Sequence, residues 1–289
     1  MELTPDFEAL LSSIQPDDDD VSNAKAAHEK VRKELRTDSD SKDAHKDTFL
    51  SGSYARHTAI NDINDVDVIC VVDIDSSITN PELVLAWLDS VLCKYYSETK
   101  RQGRSVGAQG ANNMWIDVVP ATLIAADDGP LRIPDREARD WVPTHPKGQI
   151  QAAASKNKAT DGYYVGVVKL MKFWRDRLPE SCRLKSYILE TFVHGNIGSP
   201  GSYAAAVVNV FEGVERKYGI YRDLNIVPMI SDPGYSSVNV AKHWQPKDFT
   251  DFLKQVKTAA EISRKAFDSA SDSESRALWR QIFGSTFGH

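Results

Sequence analysis

The segment 65–73, DVDVICVVD, constrains the fold more than any other part of the chain. A run of apolar and β-branched residues of this length is typical of a buried β-strand. Because side chains alternate between the two faces of a strand, Asp65 and Asp67 share one face, while Val66 and Val68 point to the opposite, core-facing side. Two carboxylates side by side repel each other, so this pattern favours a cation between them.

A third carboxylate, Asp117, lies inside a second apolar segment, 114–119 (MWIDVV), which we expect to form a strand that stops at Pro120. A carboxylate among such neighbours needs a partner. Three carboxylates on two neighbouring strands can bridge two Mg²⁺ ions about 3.5–4 Å apart. The alternative is structural: Asp-x-Asp alone is common, and Asp65 can be a turn residue at the strand start with Asp67 an edge charge.

A glycine–serine pair precedes these carboxylates. Gly52 and Ser53 follow a short predicted strand, Thr48-Phe49-Leu50, and precede a helical turn, YARHT. Backbone N–H groups at a helix start bind phosphate, glycine permits close approach of the backbone, and the serine hydroxyl adds a donor. A lone Gly-Ser is usually only a turn. Here it stands 12 residues before Asp65, with a strand-borne carboxylate further on, which favours a phosphate site.

The order of predicted elements indicates an α+β fold in two domains, residues 1–147 and 148–289. We expect the acidic run 17–20 to be a solvated helix start. The first half mixes strands with helices, and the second half is almost entirely helical up to a last long helix. The elements predicted besides those above are a helix at 22–36, a helix at 81–99 opened by Asn80, a long connection at 127–148, and the last helix at 246–268.

Composition narrows the classes of function. The net charge of −6 and the pI of about 5.7 weigh against a long nucleic acid as the main ligand, because non-specific binding usually needs a basic surface; a local basic groove stays open as an alternative. Its three cysteines are far apart and show neither zinc-ligand spacing nor a disulfide framework. The acidic N-terminus is no signal peptide, and no apolar stretch is long enough for a membrane span. We therefore expect a cytoplasmic protein with no membrane partner.

Several segments together resemble the nucleotidyltransferase superfamily of DNA polymerase β type, and within it the bacterial cGAS/DncV-like enzymes of anti-phage signalling. The first half contributes GSYARHT, DINDVDVICVV and MWIDVVPA. The second half, with VVKLMKFWRDR, KSYILETF and the late segment NVAKHWQPKDF, is similar to the helical half of cyclic GMP–AMP synthase and the oligoadenylate synthetases. The resemblance covers roughly residues 48–270. It implies a polymerase β-like core plus a C-terminal helical domain, with the active site in the cleft between them.

The resemblance also implies a role for each matching residue. The expected metal ligands bind two Mg²⁺ ions, with Mn²⁺ as the alternative metal. Other residues hold the donor triphosphate, and an aromatic side chain stacks on the donor base. The metal ligands are Asp65, Asp67 and Asp117, the triphosphate is held by Gly52, Ser53, Lys172 and Ser186, and the stacking residue is Tyr187. Without the resemblance, the alternatives are that Lys172 is a solvated helix charge and that Tyr187 is a core residue.

The function implied is synthesis of a cyclic di- or trinucleotide second messenger from nucleoside triphosphates. A linear oligoadenylate synthetase and a template-independent RNA-end nucleotidyltransferase are alternatives, and the acidic pI weighs against the second. A catalytically inactive nucleotide-binding module is disfavoured by the intact aspartates. No clustered Cys and His residues are present, so activation by nucleic acid through a zinc-binding insertion is not indicated. We expect a monomer with regulatory protein partners encoded alongside.

Overall fold

The fold divides into two compact units in a computed structural model, which describes residues 1–61, 63, 65–124 and 129–288. The first, called here the sheet unit, comprises Pro16–Gln151. The second, called the helical unit, combines Met1–Gln15 with the chain from Ala152 onward. The range 1–147 that we expected to form the core thus includes a helix, α1 (Thr4–Ser13), that belongs to the other unit.

The sheet unit is built on one mixed sheet with the strand order β1-β2-β5-β4-β3, extended by a β6–β7 hairpin on β5. Strands β2 and β5 are parallel, and the other neighbours are antiparallel. The elements are α2 (Asp18–Thr37), β1 (His45–Ser51), α3 (Gly52–Ala55), β2 (Asp65–Val72), α4 (Pro81–Leu92), β3 (Thr99–Arg101), β4 (Val106–Gln109), β5 (Trp115–Leu123), β6 (Leu131–Asp135) and β7 (Asp140–Thr144).

The main core of this unit lies on one face of the sheet. Val66 and Val68 of β2 are fully buried there, together with Ile116 and Val118 of β5, as the strand alternation predicted. Apolar side chains of α2 and α4 complete the cluster. The opposite face carries a smaller apolar cluster around Ile69, so the two ends of this second face differ: one end is apolar and the other carries Asp65 and Asp67.

Two side-chain caps fix where the helices of this unit begin. Asp17 caps α2 by accepting from the N–H of Asp20 at 2.7 Å, which confirms the acidic run as a helix start. Carboxylates in a first turn also interact favourably with the helix dipole. Asn80 caps α4 by accepting from the N–H of Glu82 at 2.9 Å, as predicted.

Three sequence-based boundaries were wrong. Helix α4 ends at Leu92 rather than near residue 99, where β3 begins. Strand β5 continues past Pro120 to Leu123, because it still pairs with β2 at Pro120 and with β6 beyond it. On its other side β4 pairs with β5 only up to Val118, so Pro120 has no partner on β4. The predicted connection 127–148 contains the β6–β7 hairpin, while its residues 127 and 128 lie outside the described residues.

The helical unit is stabilised by packing between helices that are distant in sequence. Phe7 of α1 contacts the rings of Trp279, Phe283 and Phe287 at centroid distances of 5.0, 5.9 and 4.9 Å. This aromatic cluster explains why α1 belongs here. The elements are α5 (Pro146–Ala159, which crosses the division between the units), α6 (Tyr163–Asp176), α7 (Ser186–Asn196), α8 (Tyr203–Leu224), β8 (Ser231–Asp232), β9 (Tyr235–Asn239), α9 (Pro246–Asp268) and α10 (Asp272–Phe283).

Helix α9 has the bounds that the sequence predicted, but it is not the last helix. Ser271 caps α10 by accepting from the N–H of Glu274 at 3.4 Å. The spacing Ser-x-x-Glu is the capping-box pattern, which was the available signal for this helix. In the described part of the chain, no helix is long and apolar enough to cross a membrane.

Candidate functional site

The carboxylates predicted on two strands are brought together by strand pairing. Strands β2 and β5 run parallel in a register that places Asp67 directly opposite Asp117. Asp65 lies two residues earlier on β2 and therefore on the same face. Asp65 is exposed, whereas Asp67 and Asp117 are half-buried. The strand ends thus gather three acidic side chains at the polar end of the second face of the sheet.

Asp117 is surrounded by groups with opposing effects on its charge. Burial raises the pKa of this carboxyl above its ordinary value, and the negative charge of Asp65 raises it further. Two donors act in the other direction: Trp115 Nε1 lies 3.1 Å and Gln102 Nε2 2.7 Å from Asp117 Oδ1. A raised carboxyl pKa beside a second acid is typical of a site that favours a cation.

Gly52 lies against the second carboxylate. It opens α3 immediately after β1 and has a φ of +68°, a left-handed conformation that favours glycine. A Cβ at this position would overlap the carboxylate of Asp67. Ser53 is half-buried beside it, and its carbonyl accepts from the N–H of Thr58 at 2.9 Å. The predicted order of strand, Gly-Ser and helical turn is therefore confirmed, and it places this loop beside Asp67.

The chemistry of these residues fits a hard divalent cation, since carboxylate oxygens are the ligands that Mg²⁺ prefers. The three carboxylates lie together at one end of strands β2 and β5, and Gly52 lets the backbone approach one of them, Asp67, closely. The side chains do not form a complete ligand set by themselves: over the residues that the structure describes, no group of three or more His, Cys, Asp or Glu side chains is arranged to hold a metal. Mg²⁺ commonly completes its shell with water and substrate phosphates.

Lys172, predicted to bind the triphosphate, is buried in the helical unit. It lies on α6, and its Nζ is 2.7 Å from Oε1 of Glu190 on α7. The two side chains are only 4% and 2% exposed, so the ammonium is not the solvated helix charge of the alternative interpretation. A buried ion pair of this geometry keeps both charges compensated.

Ser186 and Tyr187 open α7. The Ser186 hydroxyl accepts from Arg175 Nη1 at 2.5 Å. Tyr187 is half-buried, and its hydroxyl donates to Oδ1 of Asp232 in the β8–β9 hairpin at 2.6 Å. Asp232 is buried and also accepts from the N–H of Gly234 at 2.7 Å. The aromatic residue is thereby held by its polar end rather than buried as a core residue.

Sequence reasoning missed the residues that surround the predicted ones. Glu190 carried a usable signal, because it is a carboxylate within the apolar segment SYILETF, as Asp117 is within its strand. Arg175 carried a weaker one, the spacing of three residues from Lys172 that places both on one side of α6. Trp115 carried a strand-alternation signal, since it stands two residues before Asp117. Gln102 and Asp232 had no signal in the sequence, because their contacts depend on strand pairing and hairpin geometry.

Comparison with known proteins finds relatives in both sequence and fold. A model of the Second Messenger Oligonucleotide or Dinucleotide Synthetase domain matches residues 1–157. The chain is 32% identical to a cyclic AMP-AMP-AMP synthase of Acinetobacter sp., over 97% of this chain and 84% of that protein. It is 28% identical to a cyclic AMP-AMP-GMP synthase of Enterobacter hormaechei, over 99% and 92%.

The fold is also that of a solved relative. The structure of Escherichia coli MS115-1 CdnC in a complex with HORMA-deltaN superposes with a TM-score of 0.79 over 100% of this chain and 99% of that chain, at 17% identity. The expected polymerase β-like core with a C-terminal helical domain is confirmed by this match. The chain belongs to the Second Messenger Oligonucleotide or Dinucleotide Synthetase family, the bacterial cGAS/DncV-like nucleotidyltransferases.

Proposed function

We propose that the chain joins nucleoside triphosphates into a cyclic oligonucleotide second messenger and depends on a divalent metal. The observation that carries this proposal is the register of β2 and β5, which pairs Asp67 with Asp117 and keeps Asp65 on the same face. These residues lie within the part of the chain that matches the synthetase family. Three neighbouring carboxylates repel one another and do not stabilise a sheet. Metal-assisted nucleotidyl transfer, by contrast, requires acidic ligands.

The proposed product is a cyclic trinucleotide that contains at least two adenylates. The two curated relatives described above are named for products of this kind, one with three AMP units and one with two AMP units and one GMP. We propose that ATP is the main substrate and that the reaction serves anti-phage signalling. Because nucleoside triphosphates are cytoplasmic metabolites, we propose that the enzyme acts in the cytoplasm.

Asp65, Asp67 and Asp117 would hold two Mg²⁺ ions, or Mn²⁺ in their place. When bound, the metal lowers the pKa of the attacking ribose hydroxyl and offsets the charge on the departing pyrophosphate. Gly52 lets the loop after β1 lie against the Asp67 carboxylate, so the backbone N–H groups and the Ser53 hydroxyl would bind phosphate oxygens next to the metal ligands. The work of these side chains is positioning and charge compensation.

In the helical unit we propose that Lys172 and Ser186 hold the donor triphosphate and that Tyr187 stacks on its base. Lys172 already contacts Glu190, so the phosphate would bind an ammonium whose position the carboxylate fixes. Arg175 does the same for the Ser186 hydroxyl. Asp232 accepts a hydrogen bond from the phenol of Tyr187 and would hold the ring in the orientation that stacks on a base.

We also propose that the monomeric enzyme is controlled by a protein partner encoded alongside it. The E. coli relative has been solved in a complex with HORMA-deltaN, and a partner of that class is the first to test. Co-purification of the chain with the products of neighbouring genes, followed by measurement of the synthase rate with and without each product, examines this proposal. An unchanged rate with every stably bound partner would contradict it.

The enzyme reaction is tested by incubating the chain with labelled ATP, with ATP and GTP, and with all four triphosphates, each with Mg²⁺ or with EDTA. We expect a phosphatase-resistant product of three nucleotides by mass spectrometry, made from ATP and lost in EDTA. A phosphatase-sensitive ladder indicates a linear synthetase, and extension of added RNA indicates an end-transferase. Binding without product indicates an inactive module. Asp117→Asn, which keeps the shape of the side chain, is the control for contaminating activity.

A further inference from the structure

Two nitrogen donors converge on a single oxygen of Asp117. Gln102 Nε2 lies 2.7 Å and Trp115 Nε1 lies 3.1 Å from Oδ1. From the residues that the structure describes, Oδ2 receives no such hydrogen bond. Hydrogen bonds to a carboxylate are strong and directional, so two of them on one oxygen fix the rotation of the whole group.

The β3–β4 hairpin and β5 build this arrangement together. Trp115 precedes Asp117 by two residues and therefore lies on the same face of β5. Opposite Asp117 on β4 stands Gly107, and the Trp115 indole occupies the space where a side chain at this position would lie. A Cβ on Gly107 would overlap Nε1 and come within 2.6 Å of the neighbouring ring carbon Cε2. Glycine is thus required here by contact, not by backbone conformation.

Gln102 reaches the same carboxylate from the turn between β3 and β4. Its own N–H donates to the carbonyl of Ser105 at 2.8 Å, which closes the turn and fixes the starting point of the side chain. The negative charge of Asp65 opposes ionised Asp117 from the neighbouring strand. Without the two donors, no hydrogen bond from a described residue would fix the rotation of the Asp117 carboxylate against this repulsion.

We propose that Gln102, Trp115 and Gly107 are positioning residues that hold Asp117 in one rotamer, so that Oδ2 is presented to the divalent cation. This inference rests on the proposed role of Asp117 as a metal ligand. Loss of a hydrogen-bond donor that orients a metal ligand typically weakens metal binding by about 10–100-fold. The three residues therefore set metal affinity without contacting the metal or the nucleotide.

The test is direct binding of Mn²⁺, followed by the electron paramagnetic resonance signal of the free ion, together with the metal-free melting temperature. We expect Gln102→Leu and Trp115→Phe each to weaken Mn²⁺ binding by about tenfold, the lower end for loss of such a partner. Gly107→Ala should do the same by displacing the indole. The melting temperatures of Gln102→Leu and Trp115→Phe should stay close to that of the wild type.

Two matched controls separate positioning from general damage. Gly103→Ala adds the same methyl group in the same hairpin, where no atom lies within 4 Å of the new Cβ. Trp87→Phe removes an indole hydrogen bond of similar length, 3.2 Å to the carbonyl of Asp40, on α4. Both should bind Mn²⁺ like the wild type.

The outcomes distinguish this inference from the function on which it rests. If Asp117→Asn weakens Mn²⁺ binding but Gln102→Leu and Trp115→Phe do not, the metal role stands and the positioning role is overturned. If Asp117→Asn leaves Mn²⁺ binding unchanged, both are overturned. Weakening by the donor variants at unchanged melting temperature, with wild-type behaviour of both controls, supports the inference even if Gly107→Ala does not fold.

Discussion

Gly52 packs directly against the carboxylate of Asp67, closely enough that a Cβ on Gly52 would overlap Oδ2 and lie 2.6 Å from Cγ. The φ of +68° at Gly52 adds a second constraint, because L side chains rarely adopt it. The pairing of Ser51 with Asp67 between β1 and β2 produces this closeness, since α3 begins at the next residue. The loop that we propose binds phosphate therefore contacts the carboxylate that we propose binds the metal.

Gly52→Ala should abolish most turnover, because the methyl group displaces the Asp67 carboxylate. It should also lower the free energy of unfolding by about 1–2 kcal/mol, the cost of a left-handed conformation. Gly162→Ala is the matched control: its φ is +87°, but no atom lies within 4 Å of the new Cβ. It should lose stability and keep activity. Equal activities of the two variants would contradict the coupling.

The double variant Asp65→Asn with Asp67→Asn should lose turnover and keep its fold. Because the charge of Asp65 raises the pKa of Asp117, removal of the negative charges relieves repulsion, and the metal-free melting temperature should hold or rise. Asp73→Asn, beyond the end of β2 and exposed, controls for loss of an acid from this segment. Full activity of the double variant would contradict the metal assignment, and a large fall in its metal-free melting temperature would indicate a structural role.

The sequence was sufficient for features that depend on local pattern. Strand alternation in 65–72 correctly separated the core side from the acidic side, and Asn80 correctly marked a helix start. The hairpin β6–β7 was not predicted, because its Pro- and Asp-rich strands read as a connection. The end of α4 at Leu92 was also missed, because the residues beyond it continue an amphipathic pattern. Tertiary contacts override such a pattern.

The candidate site, like the fold, could be predicted from the sequence only where it depends on local pattern. The residue types and spacing predicted a site at Asp65, Asp67 and Asp117, whereas the strand register that pairs Asp67 with Asp117 became visible only in the structure. Gln102 is the clearest case, since a polar residue in a hairpin turn is ordinary and its contact with Asp117 depends on how β4 packs beside β5. The roles assigned to Lys172, Ser186 and Tyr187 stay predictions until nucleotide binding is measured.

Acid should destabilise the protein partly through His28. This side chain is buried on α2, and burial, followed by the charge of Arg32, lowers its pKa below the ordinary 6.5. The unfolded chain therefore takes up a proton at a higher pH than the folded one. The resulting stability is present above about pH 6.5 and is lost as the pH falls through the folded-state value.

We expect His28→Gln to flatten the decline in melting temperature between about pH 7.5 and 5. The exposed His243, changed to Gln, should leave the wild-type slope unchanged. Thermal unfolding in matched buffers at constant ionic strength measures both. Parallel curves for wild type and His28→Gln would show that His28 does not contribute.

The ring and the hydroxyl of Tyr187 should have different roles, which two substitutions can separate. If the ring stacks on the donor base, Tyr187→Ala weakens ATP binding by about 1–3 kcal/mol. Tyr187→Phe keeps the ring and should keep the affinity, but it removes a donor from buried Asp232 and should lower the free energy of unfolding by about 1–2 kcal/mol. Unchanged affinity in Tyr187→Ala, with a large fall in melting temperature, would rule out stacking.

The buried pair of Lys172 and Glu190 can distinguish a structural charge from a phosphate-binding one. Lys172→Met alone removes the ammonium that lies 2.7 Å from buried Glu190 and should cost about 3–5 kcal/mol of stability. That single variant is uninformative about ATP, because loss of fold and loss of contact coincide. Replacing both residues, Lys172→Met with Glu190→Leu, removes the uncompensated charge and should restore most of the melting temperature.

The restored double variant then measures the triphosphate contact itself. If Lys172 binds the donor phosphates, the double variant should bind ATP at least tenfold more weakly than the wild type, a loss of about 1.4 kcal/mol. Its affinity for adenosine should be unchanged, because that ligand carries no phosphate for the ammonium to contact. Calorimetry with both ligands on both proteins makes the comparison. Wild-type affinity for ATP in a well-folded double variant would show that Lys172 only stabilises the packing of α6 against α7.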